Sequence, residues 1–89
     1  MIDTKITIIN KLGLHARAAA KLVSTTSKFG CQIRLGFNGK LVDAKSIMAV
    51  MMLAAGKGTE LDLHFDGADE NQAHEALVAL INNRFDEPE

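Results

Sequence analysis

The sequence has no tryptophan and no tyrosine, one proline and one cysteine, and neither sign of charge prevails: eleven acidic against ten basic residues give a formal net charge of −1. Each shortage excludes something. The lone thiol, Cys31, can form no internal disulfide and has no paired metal-ligand spacing around it, so the cytoplasm is its natural setting and a small buried hydrophobe its expected role. Near-neutral charge argues against nucleic acid as a main partner, and an RNA-binding sheet would need exposed aromatics, whereas Phe37 and Phe65 fall on the apolar parity of their segments. The longest apolar stretch, Ile47 to Ala55, is far short of the roughly 20 residues that cross a membrane. The opening Met1-Ile2-Asp3-Thr4-Lys5 carries an acid and alternates in polarity, where a secretory signal has a basic start and an unbroken apolar core. No membrane insertion is expected.

What is present is a globular composition, 47% hydrophobic and 24% charged over 89 residues, without repeats, low-complexity segments or a linker. One domain over residues 1–89 is the expectation. Lys5 to Ile9 is β-branched and roughly alternating, which predicts a strand ending at the turn formers Asn10-Lys11-Leu12-Gly13. From Ala16, the positions Ala16, Ala19, Ala20 and Val23, with Leu22, recur at helical spacing, and Gly30 closes that helix. Cys31, Ile33, Leu35 and Phe37 alternate with polar residues and glycine as a strand does, Asn38-Gly39 supplies a type I′ hairpin turn, and Lys40-Leu41-Val42 runs back. Ser46 is placed to cap a short helix over Ile47 to Leu53, ended by Gly56 and Gly58. Thr59 to Asp66 is the cleanest strand, with Leu61, Leu63 and Phe65 on one side. Asp69 then caps a helix with a stripe of Ala73, Ala76, Leu77, Leu80 and Ile81, Gln72 reaching back to it, and the last residues, Asp86 to Glu89, are expected to fray. Strand-helix-strand-strand-helix-strand-helix, with one-sided strands, predicts an α+β fold in which helices cover one face of a mainly antiparallel sheet.

The segment that carries chemistry is Gly13-Leu14-His15-Ala16-Arg17-Ala18, which places His15 at or just before a helix N-terminus. The first N–H groups of a helix have no intrahelical partner and, with the helix dipole, attract an anion. The same potential favours a neutral imidazole, whose free nitrogen can attack phosphorus, and Arg17 would meet the phosphoryl oxygens. Spacing alone leaves a second reading open, in which His15 only caps the helix and Arg17 is a solvated charge.

The run Asn10-Lys11-Leu12-Gly13-Leu14-His15-Ala16-Arg17-Ala18-Ala19 resembles the phosphorylation-site motif of the HPr family of histidine-containing phosphocarriers of the bacterial phosphotransferase system. Ala44-Lys45-Ser46-Ile47-Met48 with Val50-Met51 is similar to that family's regulatory-serine segment, and the likeness covers nearly the whole chain. The resemblance implies an open-faced sandwich, a four-stranded antiparallel sheet with three helices on one face. It further implies that His15 accepts the phosphoryl group on Nδ1, that Arg17 steadies it, and that backbone donors of Ala16, Arg17 and Ala18 complete the site. Enzyme I would be the donor, charged from phosphoenolpyruvate, and A-type components the acceptors, met through exposed Ile47, Met48 and Met51. Such a protein is a stoichiometric carrier rather than an enzyme, works without cofactor or metal, and presents one surface to successive partners as a monomer. Ser46 resembles the target of a serine kinase in part of the family, though an N-cap role needs nothing more than the residue itself. Ala18 stands where carbohydrate-branch members usually carry proline, as in many nitrogen-branch relatives. The sugar-uptake role therefore has an alternative, a nitrogen-branch or regulatory protein that binds targets according to its phosphorylation.

Other motifs carry less. His64 and His74 have no ligand spacing to Cys31 or His15 and read as surface histidines, and Gly56-Lys57-Gly58-Thr59 lacks the earlier glycine of a phosphate-binding loop. Arg34 and Lys40 read as solvated charges near the hairpin.

Overall fold

Side chains alternate between solvent and interior along the first ten residues, and the parity outlasts the strand itself: Ile2, Thr4 and Ile6 are half-buried, while Ile8 and Asn10 are fully buried. A computed structural model describes residues 1–89 and gives β1 (Ile2–Thr7), α1 (Ala16–Thr26), β2 (Gln32–Phe37), β3 (Lys40–Asp43), α2 (Ile47–Met52), β4 (Glu60–Asp66) and α3 (Glu70–Asn82), followed by a 3₁₀ turn, Arg84–Asp86. The sheet order is β1-β4-β2-β3, antiparallel at every pairing. Cross-strand partners on the inner face are apolar apart from Thr4, which meets Leu63: Leu35 meets Leu63 from the other side, Ile33 and Ile2 flank Phe65, and Ile6 meets Leu61. All three helices lie on that face, and one core of 19 buried residues fills the space between. Full burial of side chains such as Phe65, Leu63 and Leu22 contributes about 1.5–3 kcal/mol each. The fold is the open-faced sandwich expected. Its bare face is polar, with Lys5 paired to Asp62 at 3.2 Å and His64 to Asp3 at 2.5 Å.

The Asn38-Gly39 hairpin is as read, both residues taking positive φ (55° and 82°). Several boundaries differ. Helix α1 buries Ala18, Ala19, Leu22 and Thr26, whereas Ala16, which lines a surface cavity, and Ala20 are exposed. It stops at Thr26 rather than at Gly30, the Thr26 hydroxyl donating to the Ala44 carbonyl at 2.8 Å and so tying the helix end to the loop before α2. Helix α2 ends at Met52, and Ala54, at φ 53°, makes the left-handed turn expected of a glycine.

Asp69 occupies the N-cap position of α3 but makes no side-chain cap bond. Its carboxylate accepts instead from the backbone N–H of Gly30 (2.8 Å) and Cys31 (2.9 Å), pinning the α1–β2 connection to α3.

The largest departure is the segment expected to fray. Arg84, Phe85 and Asp86 take left-handed conformations in succession (φ 57°, 54° and 64°), each costing about 1–2 kcal/mol for a residue with a Cβ. Full burial of the Phe85 ring offsets part of this. The turn sends residues 87–89 back across the molecule toward the start of α1, where the Lys11 N–H donates to the backbone oxygen of Glu89 at 3.0 Å.

Candidate functional site

Gly13 sets the geometry of the site. At φ +66° it sits so close to the loop after α2 that an added Cβ would lie 2.5 Å from the Ala55 carbonyl oxygen. The next N–H, that of Leu14, donates to this same oxygen at 2.8 Å, and the Leu14 side chain is buried. So anchored, the chain enters α1 with His15 as an extended N-cap (φ −73°, ψ 176°) whose carbonyl accepts from Ala19 N–H at 2.8 Å.

The ring of His15 is held at both nitrogens. Nδ1 accepts from the backbone N–H of Arg17 at 3.3 Å, so it is the bare nitrogen and faces the helix N-terminus. The proton therefore sits on Nε2, which donates to the Glu87 carboxylate. The other carboxylate oxygen of Glu87 accepts from Asn10 Nδ2 at 3.0 Å, and that amide also donates to the Gly13 carbonyl at 2.8 Å. Turning the amide over would set its oxygen against two acceptors, so the network fixes its orientation. Glu87 is only 11% exposed. Burial pushes its carboxyl pKa up, but the Asn10 amide and the His15 ring more than offset this and hold it below the usual carboxylate value.

A cavity of about 760 Å³ opens over this turn, lined by His15, Ala16 and Arg17, by Lys11 and Leu12 of the preceding loop, and by residues 87–89. Arg17 is exposed and has no ion-pair partner, so its guanidinium is available to a ligand in the cavity. The backbone N–H groups of Ala16, Arg17 and Ala18 are the first three of the helix, and the Ala18 methyl is buried beneath. His15, Ala16, Arg17 and Ala18 thus share one turn.

Ser46 lies outside this cavity. It caps α2, Oγ accepting from Ala49 N–H at 3.4 Å. Ile47, Met48 and Met51 are exposed, Val50 and Leu53 are core, and Met52, which sequence reasoning passed over, is the most exposed of the helix at 74%. The bond between Leu14 and Ala55 ties the end of this apolar patch to the loop carrying His15. Asn10 and Glu87 were missed as site residues. The inward parity of β1 pointed to Asn10, but nothing local pointed to Glu87.

His64 and His74, both read as surface histidines, are half-buried: His64 pairs with Asp3 on the bare face of the sheet, and the ring of His74 lies edge-on to Phe65 with centroids 5.3 Å apart. No three His, Cys, Asp or Glu side chains are grouped to hold a metal ion.

Residues 2–83 match the family model described as the PTS HPr component phosphorylation site. The chain belongs to the HPr family. Similarity to the phosphocarrier protein HPr of Pseudomonas aeruginosa is 66% identity, covering 96% of each chain. Among solved structures, the crystal structure of an HPr from Thermoanaerobacter tengcongensis superposes with a TM-score of 0.96 at 46% identity over the whole of both chains. A second crystal structure from that organism, of an HPr dimer, matches with a TM-score of 0.79 at 47% identity, covering 98% of this chain and 100% of that one. The HPr fold is therefore compatible with a dimer in a relative, beside the monomer expected here.

Proposed function

We propose that this chain is a stoichiometric carrier that takes a phosphoryl group on Nδ1 of His15 from phosphorylated enzyme I and gives it to A-type components of the phosphotransferase system. One observation carries the reading: the bare nitrogen of His15 faces the N–H groups that open α1. A phosphorus atom bonded to Nδ1 would take the place of the Arg17 hydrogen bond, with its oxygens among the unpaired donors of Ala16, Arg17 and Ala18 and within reach of the Arg17 guanidinium. Phosphoryl transfer asks for positioning and charge stabilisation above all, and this turn supplies both. Catalytic turnover belongs to the partners, no cofactor takes part, and the cytoplasm is the setting. No helix is long and apolar enough to cross a membrane.

In the same reading the exposed Ile47, Met48 and Met51 form the surface that docks successive partners, since flexible thioether side chains adapt to different shapes. A serine kinase acting on Ser46 would have to break its cap bond to Ala49.

The deciding experiment passes labelled phosphate from phosphoenolpyruvate through purified enzyme I to the wild-type chain and to His15→Ala. Acid-labile label on the wild type alone is expected. Label that persists in His15→Ala, or none on a folded wild type, overturns the reading.

A further inference from the structure

We infer that Glu87 is a positioning residue for phosphoryl transfer: by accepting the Nε2 proton of His15 it holds the ring with Nδ1 free and balances the positive charge the ring gains as phosphorus bonds to Nδ1. The inference rests on the phosphocarrier reading above. When the Nδ1–P bond forms, the lone pair of Nδ1 becomes the bonding pair, and the donor atom keeps the electron pair of the bond that breaks. The Nε2 proton stays in place, and the ring carries a net positive charge shared with Nε2–H. A carboxylate fixed against that N–H interacts more strongly with the phosphorylated ring than with the neutral one, which is the requirement for speeding the step.

The placement of Glu87 is built rather than incidental. Its second oxygen is bound by the buried Asn10 amide, so the carboxylate cannot swing away without stranding a donor. Just before it, Phe85 is fully buried, and Lys21 of α1 donates to the Phe85 carbonyl at 2.8 Å and pairs with Asp86 at 3.6 Å. Just beyond it, Lys11 pairs with Glu89 at 3.3 Å. The charged groups around Glu87 are therefore His15 and Arg17 from α1, Lys11 from the preceding loop, and Asp86 and Glu89 from its own segment. Of these groups only His15 touches its carboxylate directly. Glu87 lies on the Nε2 side of the ring, away from the helix N-terminus that Nδ1 faces, and leaves the phosphoryl position open.

The test compares wild type, Glu87→Gln and Glu87→Asp as acceptors from phosphorylated enzyme I, and follows hydrolysis of the phosphorylated proteins against pH. Expected is a fall of about tenfold in kcat for Glu87→Gln, the scale of one charge-assisted hydrogen bond, with KM for enzyme I changed less than twofold and part of the rate recovered in Glu87→Asp. The acid-promoted hydrolysis of phosphorylated Glu87→Gln should begin at lower pH than in wild type, because its ring holds the Nε2 proton less firmly. A role confined to folding would move neither the profile nor kcat alone. If Glu87→Gln, folded by circular dichroism, matches wild type in kcat and in hydrolysis profile, the inference is wrong while label on His15 still upholds the carrier reading. If wild type takes no label, the carrier reading itself fails.

Discussion

Asn10 continues the inward alternation of β1 and yet is polar, with both amide protons committed, to the Gly13 carbonyl and to Glu87. Asn10→Ala would leave a buried carbonyl and a nearly buried carboxylate oxygen without donors. Such losses cost about 1–3 kcal/mol per stranded group, more where the group is charged. A loss of about 2–3 kcal/mol in urea-unfolding free energy is expected, with an unchanged m value, and a loss under about 0.5 kcal/mol would mean that water replaces the amide freely. Residue patterns made part of this site legible and left part hidden. His15 and Arg17 stand together in sequence, where a helix start and a family motif both speak for them, and Gly13 announced a turn. Glu87 lies 72 positions from His15 and meets it only through tertiary structure, so no spacing could signal the pair.

Among the elements, strands were the most readable because period-two burial needs nothing beyond the alternation seen in Cys31 to Phe37 and Thr59 to Asp66. Helix ends were less so. Asp69 carries the sequence signature of a cap, but its carboxylate serves the Gly30 and Cys31 amides on a distant loop, a competition that local sequence does not reveal. Those bonds have a pH signature. The Gly30 N–H leads the causes that hold the Asp69 carboxyl below its ordinary value, and Glu87 is held low as well. A carboxyl depressed in the folded state contributes stability that is present above its unfolded value, about pH 4, and is lost as pH falls through the folded one. Asp69→Asn should therefore be less stable than wild type at neutral pH, and the gap should close as pH falls below the ordinary carboxylate range. Urea midpoints measured across that range check this, and a gap that stays constant into acid would show that the carboxylate charge is not what pins the loop.

At the scale of the whole molecule, the sheet, the helices and Phe85 share one core, so a change at the far end of the chain reaches the chemistry at its beginning. Phe85 is the link, fully buried although it sits in a left-handed turn that its own backbone disfavours. Phe85→Ala removes the burial that compensates in part for that turn. It should cost about 3–5 kcal/mol of stability, at the range seen for deleting a buried aromatic ring. It should also slow phosphoryl acceptance toward the Glu87→Gln rate, although residue 85 touches neither nitrogen of His15. Unfolding and transfer measured on one preparation test both parts, and a stability loss with full transfer rate would uncouple the turn from the site.

The left-handed turn also acts as a ruler. Between the buried ring of Phe85 and the carboxylate of Glu87 stands a single residue, Asp86, and that spacing helps deliver an acid to the His15 ring. A chain one residue longer or shorter there would point a different side chain at Nε2.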